Sequence, residues 1–158
     1  MKKLLIYLLL LLFITTANLV VADNALKDIE KMWVSVVITG IDDISQNQVI
    51  TDVELKLRLA GISIVEFSAS EGDSIEVFIY GVFIPDINHY SFYIRIDINK
   101  SAEVRFTNSN TIHYRPIPVW WRFTVGLASK QEADRFIRGI VKDYMDEFLN
   151  DYLAANPK

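Results

Sequence analysis

The 158-residue chain has no cysteine. That excludes a disulfide framework, a thiolate nucleophile and a lipid carried on an N-terminal cysteine. Histidine occurs twice, as His89 and His113, whereas a metal-ligand set normally shows three or more candidate side chains. Basic residues are in deficit, 16 Lys and Arg against 20 Asp and Glu. Without a basic stripe the chain is poorly suited to phosphate backbones or anionic lipid headgroups. There is no G-x-S-x-G, no Gly-rich phosphate loop and no H-E-x-x-H. Glu71-Gly72-Asp73 lacks the D-x-D-x-D-G spacing of a calcium loop and reads as a turn. Internal repeats and low-complexity linkers are also missing.

What is present begins with Met1 to Ala22. Lys2 and Lys3 open the chain, Leu4 to Ile14 form an unbroken apolar run, and Val20-Val21-Ala22 puts small residues before Asp23. This is the layout of a secretory signal peptide cut after Ala22. The alternative is a retained membrane anchor, but the run of 11 apolar residues is short of the ~20 that a spanning helix needs. The expected location is periplasmic or secreted, with no stable membrane insertion once the leader is removed. Export without disulfides suits a bacterial envelope. The remainder, residues 23–158, is the size of one domain. Loss of Lys2 and Lys3 leaves it with a net charge of −6.

The order of elements follows from periodicity and punctuation. Asp23 to Lys31 is short, polar and mixed, a lead-in segment or a frayed turn. Met32 to Thr39 is a β-branched strand ending at Gly40, and Ile41 to Ile50 reads as a loop. Thr51 to Ala60 alternates like a strand. However, its Thr51–Glu54 capping box, helix-forming composition, Glu54–Arg58 spacing and terminal Gly61 point to a helix. Ile62 to Phe67 and Ile75 to Ile84 are strands around the turn cluster 68–74. Tyr90 to Ile98 sets Phe92, Ile94, Ile96 and Ile98 against Tyr93, Arg95 and Asp97. Asn99-Lys100-Ser101 is a bulge or turn before Ala102 to Thr107. Thr111 to Val125 is extended and aromatic, and its Pro116 and Pro118 demand an edge, bulge or bend. Ser129 to Ala155 is a long amphipathic helix opened by a Ser129–Glu132 capping box and stopped by Pro157. The expectation is an α+β domain of order β-α-β-β-β-β-α. It has a mostly antiparallel sheet of about five strands and two helices on one face. The other face, carrying Tyr80, Tyr93, Arg95 and Tyr114, is aromatic for a surface meeting solvent.

The chemistry-bearing candidates are few. His89 and His113 could hold a metal with a carboxylate if their strands brought them together; otherwise they are surface residues. The carboxylate pairs Asp42-Asp43 and Asp146-Glu147 fall in a polar loop and on an exposed helix side, where solvated acids are surface residues and not acid–base machinery. Tyr114, Arg115, Trp120, Trp121 and Arg122, with Phe123, are of the types that interfaces favour. Adjacent Trp120 and Trp121 in a strand point to opposite faces, so at least one leaves the core. The competing reading of this cluster is core and edge packing.

Three stretches carry a resemblance. Thr51 to Ile62, Trp121 to Gly126, and the tail Met145-Asp146-Glu147-Phe148-Leu149-Asn150-Asp151-Tyr152-Leu153-Ala154-Ala155-Asn156-Pro157 resemble a set of small exported bacterial proteins of unassigned activity. No functional residue therefore transfers. The strand-helix-strand front end also resembles small α+β domains of envelope assembly proteins, such as the N-terminal domain of the Tol-system propeller protein. The expected function is a non-enzymatic binding or accessory module of the envelope, with no cofactor. It would recognise a protein partner through an exposed sheet edge or the Tyr114–Phe123 strand. A second reading is a carrier of a small apolar ligand between the last helix and the sheet, with Trp120 or Trp121 lining the pocket. A third is a hydrolase using His89 or His113 with a carboxylate.

Overall fold

A computed structural model describes residues 25–67, 72–105 and 112–157. The leader, its cleavage site and the turn at 107–110 lie outside the described residues. Five strands form one mixed sheet in the order β2-β1-β3-β4-β5. They are β1 (Lys31–Thr39), β2 (Ser63–Ile64), β3 (Asp73–Ile84), β4 (His89–Arg105) and β5 (Ile112–Ser129). α1 (Gln46–Leu59) connects β1 to β2, and α2 (Ala133–Ala155) follows β5. The two long ladders, β3–β4 and β4–β5, are antiparallel, whereas β1 pairs in parallel with both β2 and β3. The parallel pairs follow from the crossover through α1, which returns the chain in the direction of β1.

Both helices lie on one face, α1 over β1 and α2 over β4 and β5. The core between the layers is made by Met32, Val36, Ile75, Val77, Ile79, Phe92, Ile94, Ile96 and Ile98 from the sheet. Val49, Val53, Leu57, Ile137, Val141, Met145 and Phe148 meet them from the helices. The alternation expected for Tyr90 to Ile98 is observed, with Phe92, Ile94, Ile96 and Ile98 buried. Polar side chains join the helices to each other. Arg138 donates to Asp52 at 2.9 Å and to Gln48 at 3.0 Å, and Lys56 pairs with Asp146.

Several boundaries differ from the sequence expectation. α1 begins five residues before Thr51, so the stretch read as loop to Ile50 is partly helical. Ser45 is the cap and accepts the Gln48 amide at 3.4 Å, while Thr51 sits mid-helix and donates to the Asn47 carbonyl at 2.8 Å. Ser45-Gln46-Asn47-Gln48 is itself an S-x-x-Q signature. The Glu54–Arg58 pair is present at 2.8 Å. β2 is only two residues long. α2 starts at Ala133 without a side-chain cap; Ser129 is still strand, and Glu132 pairs with Arg135 at 2.8 Å instead. The lead-in is a buried plug. Leu26 and Ile29 are fully buried. Asn156 donates to the Leu26 carbonyl at 2.9 Å and accepts the Asp28 amide at 3.1 Å, while Tyr152 donates to the Ile29 carbonyl at 2.9 Å.

Candidate functional site

The face of the sheet away from the helices carries the candidate site. Its position depends on one irregularity in β5. The ladder with β4 pairs Ile98 with Trp120 but Asn99 with Pro118, so Val119 is an extra residue, a β-bulge. The bulge exchanges the facing of alternate residues. On its far side Trp120, Arg122, Thr124 and Gly126 turn toward the helices, and Trp121, Phe123, Val125 and Leu127 turn away from them. The apolar parity of β5 is therefore the uncovered one. Trp121 is 54%, Phe123 61%, Val125 71% and Leu127 57% exposed.

Register extends this surface over β4, β3 and β1. Asp97 and Glu76 lie level with Trp121; Arg95, Phe78 and Val37 level with Phe123; Tyr93, Tyr80 and Thr39 level with Val125. The rings form a chain: Phe78 to Tyr80 at 6.5 Å, Tyr80 to Tyr93 at 6.4 Å, and Tyr93 to Phe123 at 6.3 Å. Tyr93 and Arg95 make a ridge with a shallow groove on each side, each of about 220 Å³. One groove is walled by Trp121 and Phe123, the other by Phe78 and Tyr80.

At the middle of this face the charges form one cluster of Arg95, Asp97 and Glu76. Arg95 Nε donates to Asp97 Oδ1 at 2.8 Å, and Asp97 is buried. Desolvation, reinforced by the Asp97 charge and partly offset by Arg95, holds the Glu76 carboxyl above its ordinary pKa. Along the same face Asn99 donates to Ser74 at 3.2 Å, both buried.

The structure divides the residues singled out in the sequence. Trp121 is on the open face beside Phe123. Trp120 is core, 5% exposed, edge-on to Phe148 at 5.6 Å, with Nε1 donating to Asp151 at 2.9 Å. Arg122 is on the helix side, where it donates to Glu147 at 2.8 Å and lies 4.8 Å over the Trp120 ring. Tyr114 and Arg115 are exposed on the arm beyond the bulge, opposite Glu103 and Ala102. Phe78, Val82, Val125 and Leu127 join the surface without having been singled out. Period-two counting through β3 would have found Phe78 and Val82, because they alternate with the buried Ile75, Val77 and Ile79.

The two histidines do not meet. Their strands do pair, but His89 is opposite Ser129 and His113 opposite Val104, which separates them by about 50 Å along β4. His89 donates through Nδ1 to the Ile87 carbonyl. Of the carboxylate pairs, Asp43 accepts the Tyr90 hydroxyl at 2.8 Å, Asp146 faces Lys56 and Glu147 faces Arg122.

The outer edge of β5, expected as one site for an added strand, is obstructed. The ladder to β4 continues through Pro116 and Pro118, so their missing N–H groups fall on the outer side. Three outward carbonyls are already bonded: Trp121 O accepts from Arg122 at 3.1 Å, Phe123 O from Tyr144 at 3.1 Å and Val125 O from Thr124 at 3.4 Å. Such devices protect an edge from strand addition.

No family model matches the chain, and no curated protein matches it in sequence. Solved structures of similar shape include a minor lipoprotein from Acinetobacter baumannii, at 8% identity and a TM-score of 0.42, covering 81% of this chain and 92% of that one. The rare lipoprotein B from Shewanella oneidensis is similar at 13% identity and a TM-score of 0.34, covering 73% of this chain and 91% of that one. Among the described residues no helix is long and apolar enough to cross a membrane.

Proposed function

We propose that this chain is an exported, non-enzymatic accessory module of the bacterial cell envelope that holds a protein against the open face of its sheet. The observation that carries the reading is the inverted parity of β5, which exposes Trp121, Phe123, Val125 and Leu127 while directing Arg122 and Thr124 toward the helices. A strand whose apolar side faces outward, continuous with Tyr80, Val82 and Tyr93, makes an apolar patch beyond what solvent exposure alone calls for. Aromatic groups with one arginine are what the centres of protein contacts favour. Export is supported by the Met1 to Ala22 leader. The net charge of −6 after its loss argues against nucleic acid and anionic lipid. For a carrier, the ligand would displace what already fills the helix–sheet layer, where Trp120 is packed on Phe148 and bonded to Asp151.

The test is site-specific photo-crosslinking in the native envelope. A photoreactive residue replacing Trp121 or Phe123 is expected to capture a protein, and one replacing Leu55 on α1 is not. Capture from Leu55 with none from Trp121 or Phe123 would place the contact on the helix side and end the proposal.

A further inference from the structure

We infer that the protein held by the open face is a second copy of this chain, packed sheet to sheet about a two-fold axis. The inference rests on the reading of that face as a protein contact. Area is the first argument. The exposed parts of Val37, Tyr80, Val82, Trp121, Phe123, Val125 and Leu127 amount to roughly 700 Å² of apolar surface, taking about 200 Å² for a whole aromatic side chain and somewhat less for an aliphatic one. A monomer's largest apolar patch is usually about 300–600 Å². Two such faces together offer about 1,400 Å², within the roughly 1,200–2,000 Å² of a stable specific interface.

Charge is the second argument. The centre of the face is an ion pair, Arg95 and Asp97, held together at 2.8 Å on one strand, with Glu76 level with Asp97 on the next strand. A partner with a single complementary charge would leave one of the two unmatched. A copy rotated about an axis across the strands, passing between these two residues, sets each Arg95 opposite the other copy's Asp97. The two ion pairs become a closed group of four. The same rotation exchanges the levels of Trp121 and Phe123, so each aromatic meets the other. Sheets pack face to face in this way at about 10 Å separation. The obstructed β5 edge is the third argument, because it leaves face packing as the route of association on this side of the molecule.

The experiment is sedimentation velocity on the full chain, expressed with its own leader and purified as the cell processes it, from low to high micromolar concentration. A reversible dimer is expected. Trp121→Ala should raise its dissociation constant at least ~30-fold, the effect of losing one central anchor. Arg95→Asp and Asp97→Arg should each be monomeric alone and form a heterodimer when mixed, since an acidic centre then meets a predominantly basic one. The mixing result also shows that both variants are folded. A dimer indifferent to Trp121→Ala, or variants that fail to associate when mixed, would overturn the inference. A wild-type monomer throughout the range would do so as well. If that monomer still crosslinks another envelope protein through Trp121, the open face keeps its role and only the second copy is lost. If it crosslinks nothing there, both readings fall.

Discussion

Trp120→Ala and Trp121→Ala, one residue apart, separate the two faces of the sheet. Trp120 packs under α2 at 5% exposure, with its ring 5.6 Å from Phe148 and its indole bonded to Asp151 at 2.9 Å. Truncating a buried aromatic costs about 3–5 kcal/mol, because the lost transfer energy and the residual cavity add. Loss of the bond to the Asp151 carboxylate and of the Arg122 contact 4.8 Å above the ring places the change toward the upper end of that range. Total stability is about 5–15 kcal/mol, so the variant gives up a third or more of it. At a urea dependence of about 2 kcal/mol per molar, the midpoint falls by about 2 M. Trp121, half exposed on the open face, should cost under about 1 kcal/mol. Urea titration followed by far-ultraviolet circular dichroism reads both without relying on the tryptophans removed. Equal midpoint shifts, or a larger shift for Trp121→Ala, would refute the assignment of faces and with it the bulge at Val119.

Two further predictions concern the Glu76 carboxyl and two glycines. The Glu76 carboxyl is raised from 4.5 by desolvation first and the Asp97 charge second. The folded state therefore binds this proton more tightly than the unfolded state, so stability falls as pH rises from about 4.5 through the folded value. Glu76→Gln should flatten that slope and be the more stable chain above it, and thermal melts across the range that keep the wild-type slope would count against the argument. Glycines should respond with opposite signs. A Cβ at Gly40, where φ is +77°, would lie 2.0 Å from the Gly81 carbonyl oxygen, so Gly40→Ala should cost about 3 kcal/mol or more by prising β1 from β3. Gly139 in α2 has open space around its missing Cβ, so Gly139→Ala should gain about 0.5–1 kcal/mol; thermal melts with the two signs alike would defeat this reasoning.

The layered fold was legible because periodicity is local. Phe92, Ile94, Ile96 and Ile98 announce their face without reference to any other strand, and α2 shows its apolar stripe in the same way. The start of α1 was obscured because two capping signatures, Ser45–Gln48 and Thr51–Glu54, compete within one turn and a half. Val49 decides between them by being fully buried, and burial is a tertiary fact. The lead-in hides its role for a similar reason. Leu26 and Ile29 are an isolated apolar pair in the sequence, and what ties their backbone down is Asn156 and Tyr152 at the other end of the chain. The candidate site was half legible. Adjacent tryptophans had to part, but which one stays inside depends on register, and register depends on Val119.

The bulge lets two halves of β5 with different demands share one ladder. On one side Pro116 and Pro118 must keep their missing donors on the outer edge. On the other, Trp120 must reach Asp151 and the Phe92 ring must lie against the bare backbone of Gly126. Without the extra residue one half must turn over, since a single-residue slip reverses every side chain. The Trp120 half is tied by buried packing and the proline half is exposed, so deletion of Val119 should turn over residues 112–118 and leave the Trp121 face in place. In a background of Trp33→Phe and Trp120→Phe, Trp121 is the sole fluorophore, and its quenching by iodide should be the same with and without Val119. A deletion variant whose Trp121 becomes shielded would show that the proline arm dictates the register. The open aromatic face would then be a consequence of the edge and not of the core.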